Sequence, residues 1–189
     1  MRKIAAHFIL HPDGSVGKFP VIVFDQDGTI VEIRERSSFI EEPSLELVNG
    51  FLCPGFVDFF RTAILQNESV EIQKYINRQV ISGIKVLGAS EDDYSDIIKY
   101  RTRGISFTKT SNKCSMLNNE YNSLFDFLKF NKSGVDSLMR YTIENASILE
   151  VNDQYGSLEV GKRPGIIAIS GMNYETMRLT GSAKIKLIV

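Results

Sequence analysis

Histidine is scarce in this sequence: among 189 residues only His7 and His11 occur, both near the start. Cysteine is equally scarce, with Cys53 and Cys114 alone. Two cysteines without paired metal-binding spacing make neither a disulfide framework nor a zinc site, so both read as reduced, partly buried thiols. No uninterrupted apolar run approaches the roughly 20 residues that span a bilayer, and the opening stretch is broken by His7 and His11. Excess charge of either sign is also missing. A formal net charge of -1 on 24% charged residues gives no electrostatic bias toward nucleic acid or anionic membranes. What these absences leave is a cytoplasmic globular protein with enough apolar content, 43%, to bury a real core.

Strand-forming segments come first. Residues 3–10, 21–25 and 29–35 are strand-like, punctuated by Pro12-Asp13-Gly14 and Gln26-Asp27-Gly28. The spacing predicts a small antiparallel sheet, with Asp27-Gly28 at the left-handed turn positions of its second hairpin. Residues 47–60 then form an apolar strand through Cys53-Pro54-Gly55.

Beyond Phe60 the periodicity changes to alternating helix and strand. Ile72, Tyr75, Ile76 and Val80 mark a helix over 67–81, stopped by Ser82-Gly83, and a short strand follows over 84–87. Ser90 is placed to cap a further helix with Asp93 three residues on, ending at Gly104, and residues 105–107 read as another strand. Residues 109–119 are polar and read as an exposed, disordered connection. Two helices are expected over 120–130 and 135–149, and two strands over 165–170 and 183–189. Lys85 and Lys162 read as solvent-facing.

The segment Gly50-Phe51-Leu52-Cys53-Pro54-Gly55-Phe56-Val57-Asp58 resembles the passage by which amidohydrolases leave their small β-domain and enter the first barrel strand. The Asp27-Gly28-Thr29-Ile30 hairpin resembles that β-domain itself. Tyr141-Thr142-Ile143-Glu144-Asn145-Ala146, followed by Tyr155-Gly156-Ser157-Leu158-Glu159-Val160-Gly161-Lys162, is similar to the family's last helix and its return into the β-domain. Arg163-Pro164-Gly165-Ile166 departs from the common acidic return and looks closer to the aminodeoxyfutalosine deaminase-like branch.

This resemblance implies a (β/α)8 barrel in which a divalent metal, held by histidines and an aspartate at the strands' C-terminal ends, activates water against a carbon bonded to nitrogen. The first histidine pair belongs at the positions of Phe60 and Thr62, neither of which is an imidazole. A phenyl ring offers a metal no lone pair, and a lone threonine hydroxyl is a poor substitute. His7 and His11 precede the barrel segment, and read as a sheet-face residue and a loop residue. The 80 residues between Phe60 and Tyr141 are also too few for a barrel that typically takes about 250 in all.

The resemblance therefore implies an α+β or α/β fold: a composite, sandwich-like β-domain from residues 1–55 and 155–189, around an incomplete barrel remnant of residues 56–154. It implies an amidohydrolase-like protein without catalytic, cofactor or metal residues, one reading being an interaction module. Residual hydrolase or deaminase activity within a complex is an alternative. A second alternative starts from residues 21–30, Val-Ile-Val-Phe-Asp-Gln-Asp-Gly-Thr-Ile, which also resemble the nucleophile motif of haloacid-dehalogenase-type phosphatases. There Asp25 would attack phosphorus, Asp27 would act as acid/base, and Glu91, Asp92 and Asp93 would be offered to Mg2+. It requires a central parallel strand feeding a helix, which the hairpin pattern opposes. A homodimer is expected, because an unclosed parallel sheet has edges and apolar faces in need of cover; Tyr121, Leu124, Phe125, Phe127, Leu128 and Phe130 are the candidate cover.

Overall fold

A computed structural model describes residues 1–37, 42–61, 64–65, 68–100, 102–111, 121 and 123–189. Thr62 and Cys114, and the expected helix start at Glu120, lie outside the described residues. The fold is mixed α and β, with three sheets among the described residues.

Strand β1 (Arg2–Ala5) and strand β2 (Phe8–Leu10) replace the single strand expected over 3–10. The reason lies in the side-chain register. Ile4, Ala6 and Ile9 all face one core, and the step from 6 to 9 breaks the two-residue period of a continuous strand. The chain therefore changes sheets between Ala5 and Phe8. It changes back between β3 (Val16–Lys18) and β4 (Pro20–Phe24), where Phe19 takes a positive φ of 50°. Strand β5 (Ile30–Glu35) pairs antiparallel with β4, and β6 (Leu45–Leu47) runs parallel to β1, giving a four-stranded sheet in the order β5-β4-β1-β6.

Strand β7 (Phe51–Pro54) is followed at once by β8 (Phe56–Phe59), the first of three parallel strands. Helix α1 (Ser69–Ile81) connects it to β9 (Ile84–Ala89), and helix α2 (Glu91–Ile97) with a 3-10 turn connects β9 to β10 (Ser106–Lys109). The cap anticipated at Ser90 is present, its hydroxyl accepting the Asp93 backbone N–H at 3.2 Å. The order β10-β9-β8 follows the chain, and the three strands do not close into a barrel.

Helix α3 (Leu124–Phe130) is capped by Ser123 and buries Leu124, Phe125 and Leu128 in its own chain's core, leaving Phe130 74% exposed. The long helix expected over 135–149 is α4 (Val135–Met139) and α5 (Asn145–Ile148) joined by a π turn over Arg140–Glu144. Strands β11 (Ile166–Asn173) and β12 (Arg178–Leu187) are longer than anticipated, because they form a hairpin with each other across a register shift between Ser170 and Met172.

Strands from both parts of the sequence meet in a five-stranded sheet ordered β12-β11-β7-β2-β3. Its center is the antiparallel β7–β11 ladder, which pairs Phe51 with Ile169, Leu52 with Ala168 and Cys53 with Ile167. Side chains alternate across it. Leu52, Ile166 and Ala168 join Ile4, Ile22, Phe24 and Ile188 in the core shared with the four-stranded sheet. Phe51, Cys53, Ile167 and Ile169 join Phe56, Ile76, Leu87, Leu124 and Leu128 on the other face. Burial on both faces also explains Cys53: the thiol is free, fully buried, and its pKa is pushed up by desolvation, as befits an inert thiol.

One sheet serving two cores makes a testable demand. Leu52→Ala and Ile167→Ala act on opposite faces, and each should cost ~2–5 kcal/mol in urea unfolding while both probes of unfolding, far-UV and tyrosine signals, move together. A variant that loosened one side and left the other at full stability would break the shared-ladder account.

Candidate functional site

The C-terminal ends of the parallel strands are where the resemblance places chemistry. Strand β8 is buried on both faces, so its one acid, Asp58, 4% exposed, is conspicuous. Burial raises the Asp58 carboxyl to about 7, against the opposing pull of the Phe59 backbone N–H and the Arg61 charge. Tyr75 on α1 is pushed above the ordinary phenol range by burial and by the Asp58 charge. Beyond the strand, Phe60 donates its N–H to the Gly88 carbonyl at 2.7 Å. Its buried ring meets Tyr75 edge-on, with centroids 5.8 Å apart.

Arg61 is buried as well, and sequence reasoning gave it no role. One of its nitrogens, Nη1, reaches the Tyr121 carbonyl at 3.4 Å, while Nε and Nη2 have no hydrogen-bond partner. This end thus presents a carboxyl that exchanges its proton near neutrality and a guanidinium with open donors. It does not fit a catalytic metal: an apolar ring and a cation stand beside one carboxylate, and among the described residues no three His, Cys, Asp or Glu side chains converge.

The β8 edge that a barrel would cover is sealed differently. Thr142, fully buried, donates its hydroxyl to the Leu138 carbonyl at 2.7 Å within the π turn. One turn on, Asn145 donates Nδ2–H to the Val57 carbonyl at 2.8 Å. Asp58, Arg140, Glu144 and Asn145 line a small cavity of about 90 Å³ there. A helix-interior asparagine, a poor helix former, was the available signal for this contact.

The residues of the phosphatase alternative are not assembled into a site. Strands β4 and β5 form an antiparallel hairpin rather than a strand feeding a helix. Asp25 Oδ1 accepts the Asp27 and Thr29 backbone N–H groups at 2.9 Å each, which lowers its pKa and accounts for it as a turn residue. Of the two expected left-handed turn positions, only Gly28 has a positive φ, 87°. Glu91 pairs with Lys109 beyond the C-terminal end of β9, and Asp93 is held at the α2 cap. Asp27 lines a pocket at the opposite ends of β9 and β10; six strand residues span about 20 Å. His11 pairs with Glu35 at 2.6 Å, and His7 is exposed beside Phe8; both belong to the strands and loops that precede β8.

That opposite pocket, about 300 Å³, is lined by Asp27, Lys85, Ser106, Tyr155, Arg163 and Val189 among others. Lys85 is half-buried rather than solvent-facing, because it occupies a β9 position packed against Gly55 and Gly165. Lys162 is also mostly covered, ion-paired to Glu159 and donating to Ser157 Oγ at 2.8 Å. A lysine inside the apolar run Ile84-Lys85-Val86-Leu87 was a readable signal.

No protein-family model matches the sequence, and no curated protein matches it. Solved structures align with part of the chain. Helicobacter pylori aminofutalosine deaminase in complex with methylthio-coformycin is similar over 61% of this chain and 37% of its own, at 17% identity and a TM-score of 0.44. An amidohydrolase from Brucella melitensis is similar over 58% and 34%, at 12% identity and a TM-score of 0.43. A prolidase-like protein from Bifidobacterium longum is similar over 63% and 32%, at 11% identity and a TM-score of 0.40. The chain thus spans about a third of the length of these structures.

Asp58 sets a pH dependence whose sign is fixed. With its pKa raised from 3.8 to about 7, the folded state holds the proton more tightly than the unfolded state. Stability is therefore fullest at low pH from this group, falls as pH rises from about 4 to about 7, and then levels off. Asp58→Asn removes the charge, so it should raise the melting temperature at pH 8 and change it little at pH 4. An equal shift at both values would show that Asp58 is not the buried titrating group.

Proposed function

We propose that this chain is an amidohydrolase-like protein of the metal-dependent hydrolase superfamily that does not itself cleave carbon–nitrogen bonds. In this reading residues 1–55 and 155–189 constitute a composite β-domain, and residues 56–154 a barrel remnant that serves as a cytoplasmic interaction module. The observation that carries it is Phe60. At the strand end where the resemblance expects an imidazole, this ring is 5% exposed and packs against Tyr75. Arg61 beside it adds a positive charge that a divalent cation would have to overcome. Of the two histidines of the sequence, His11 is paired with Glu35, and both precede β8.

The test is metal content and turnover. Protein expressed with Zn, Fe and Mn supplements should carry a substoichiometric amount of each by mass spectrometry. Phe60→His combined with Thr62→His supplies two imidazoles without the rest of a ligand set, so that double variant should not deaminate adenosine-like or hydrolyse dipeptide substrates. Near-stoichiometric metal in the native protein, or turnover by the double variant, would overturn this reading.

A homodimer belongs to the same proposal. Strand β10 is at the end of its sheet, and Phe130 projects from α3. Sedimentation at micromolar concentration should give a dimer that Phe130→Glu weakens. A monomer across that range would remove self-association from the proposal.

A further inference from the structure

The pocket at the N-terminal ends of β9 and β10 collects hydrogen-bond donors. Lys85 contributes an ammonium group and Arg163 a guanidinium, and neither has an ion-pair or side-chain hydrogen-bond partner among the described residues. Ser106 Oγ and Tyr155 OH lie 3.0 Å apart on the same wall. That bond uses one of their two hydroxyl protons, so one O–H donor of the pair remains available. Asp27, exposed at the rim, is the one acidic side chain of the lining.

The cations are held in place by the backbone around them. A Cβ at Gly55 or at Gly165 would collide with the Lys85 stem, and Gly165 has a φ of +69°. The two glycines thus form a slot for four methylenes, closed by the Gly55 N–H donating to the Gly165 carbonyl at 3.0 Å. The Arg163 backbone is fixed by its N–H to the Gln154 carbonyl at 3.1 Å. The neighbouring loop is tied to β5 through Gly161 N–H to the Ile30 carbonyl at 2.8 Å and Ile30 N–H to the Lys162 carbonyl at 2.9 Å. Burial first, and then the Arg163 charge, hold the Lys85 pKa below that of an ordinary lysine. The fold thus keeps two like charges together with no direct ion pair to either among the described residues, an arrangement that an oxyanion would relieve.

We infer that this pocket is a binding site for a small phosphate dianion, free or as a monoester, held by Lys85, Arg163 and the Ser106–Tyr155 hydroxyl pair. A tetrahedral dianion matches the lining better than a planar monocarboxylate: the donors come from an ammonium, a guanidinium and a hydroxyl on different walls, and two positive charges are available. The volume of about 300 Å³ is at the small end of ligand pockets and leaves room for a modest organic group on the ester oxygen. The site lies away from the C-terminal strand ends, so it does not depend on the amidohydrolase-like reading and stands or falls separately.

Inorganic phosphate is the probe, titrated calorimetrically into the native protein at low ionic strength and neutral pH, with phenyl phosphate as the monoester arm and succinate as the dicarboxylate arm. One-to-one binding of phosphate is expected, with a rise in melting temperature that saturates with ligand. Lys85→Met, which keeps the unbranched stem in the glycine slot, should weaken binding tenfold or more, and so should Arg163→Gln. Lys99→Gln, at a lysine paired with Asp96, should leave binding unchanged. Arg163 is exposed, so its variant keeps the test decisive should Lys85→Met fail to fold. No saturable phosphate binding below ~10 mM, or full affinity in either pocket variant, would overturn the site. Succinate binding as tightly as phosphate would overturn the assignment to phosphate.

Discussion

The rest of the molecule depends on one antiparallel ladder, that between β7 and β11. Its eight paired residues bring a segment near position 50 against one near position 170, and every one of them is buried. Because strand side chains alternate, a single shift of register would exchange Leu52 and Ala168 for Phe51 and Ile169 and spoil both cores at once. The entropic cost of closing a loop of more than a hundred residues grows only logarithmically with its length, whereas the apolar area buried on two faces adds residue by residue. The ladder also sets where the chemistry can lie. One residue, Gly55, separates β7 from β8, so the parallel sheet starts from a fixed point and its two ends inherit different surroundings.

Those two ends have opposite characters. At the C-terminal ends, β8 delivers Asp58, Phe60 and Arg61 into an apolar interior, and the cost appears as a carboxyl titrating near neutrality and guanidinium nitrogens without partners. At the N-terminal ends, Lys85 and Arg163 remain in contact with a pocket, where water or an anion can solvate them. Buried charge is thus concentrated at the end from which the resemblance leads one to expect catalysis, while open, donor-rich space lies at the other. Between them the β8 edge is closed by Asn145, so one side-chain amide takes over a carbonyl that a neighbouring strand would otherwise satisfy.

The sequence made local structure legible where short-range physics decides it. Ser90 as a cap, Gly28 as a turn residue and the helical spacing of Ile72, Tyr75 and Ile76 all have their effects within a few residues. It was less informative where distant segments meet. The change of sheet after Ala5 was encoded in the spacing of Ile4, Ala6 and Ile9, but only the presence of a second sheet gives that spacing its meaning. The π turn could not be read from the apolar pattern, since Leu138, Tyr141 and Thr142 suit an ordinary helix equally well. Asp58 and Lys85 were visible as charges inside apolar runs, yet the same pattern is produced by a strand with one wet face. What decided their surroundings was burial by α1 in one case and a slot between two glycines in the other.

The glycine slot shows how a structural motif can acquire a second role. Gly55 and Gly165 lie on the segments that enter β8 and β11, and their backbones must approach closely for the β7–β11 ladder to end where it does. Any side chain at either position would push against the Lys85 stem. The close approach therefore leaves a channel of one methylene's width, and a long unbranched side chain from β9 fills it with little loss of packing. Leucine or isoleucine would fill volume but not that shape, because branching near the backbone widens the stem. Of the unbranched residues, methionine would satisfy the packing alone, whereas lysine satisfies the packing and carries a charge to the far end of the channel. Arg163, two residues before Gly165 on the same pinned loop, then places a second charge beside the first. Packing accounts for the stem, but it does not account for two cations at its tip, and that remainder is what distinguishes a ligand site from a well-filled core.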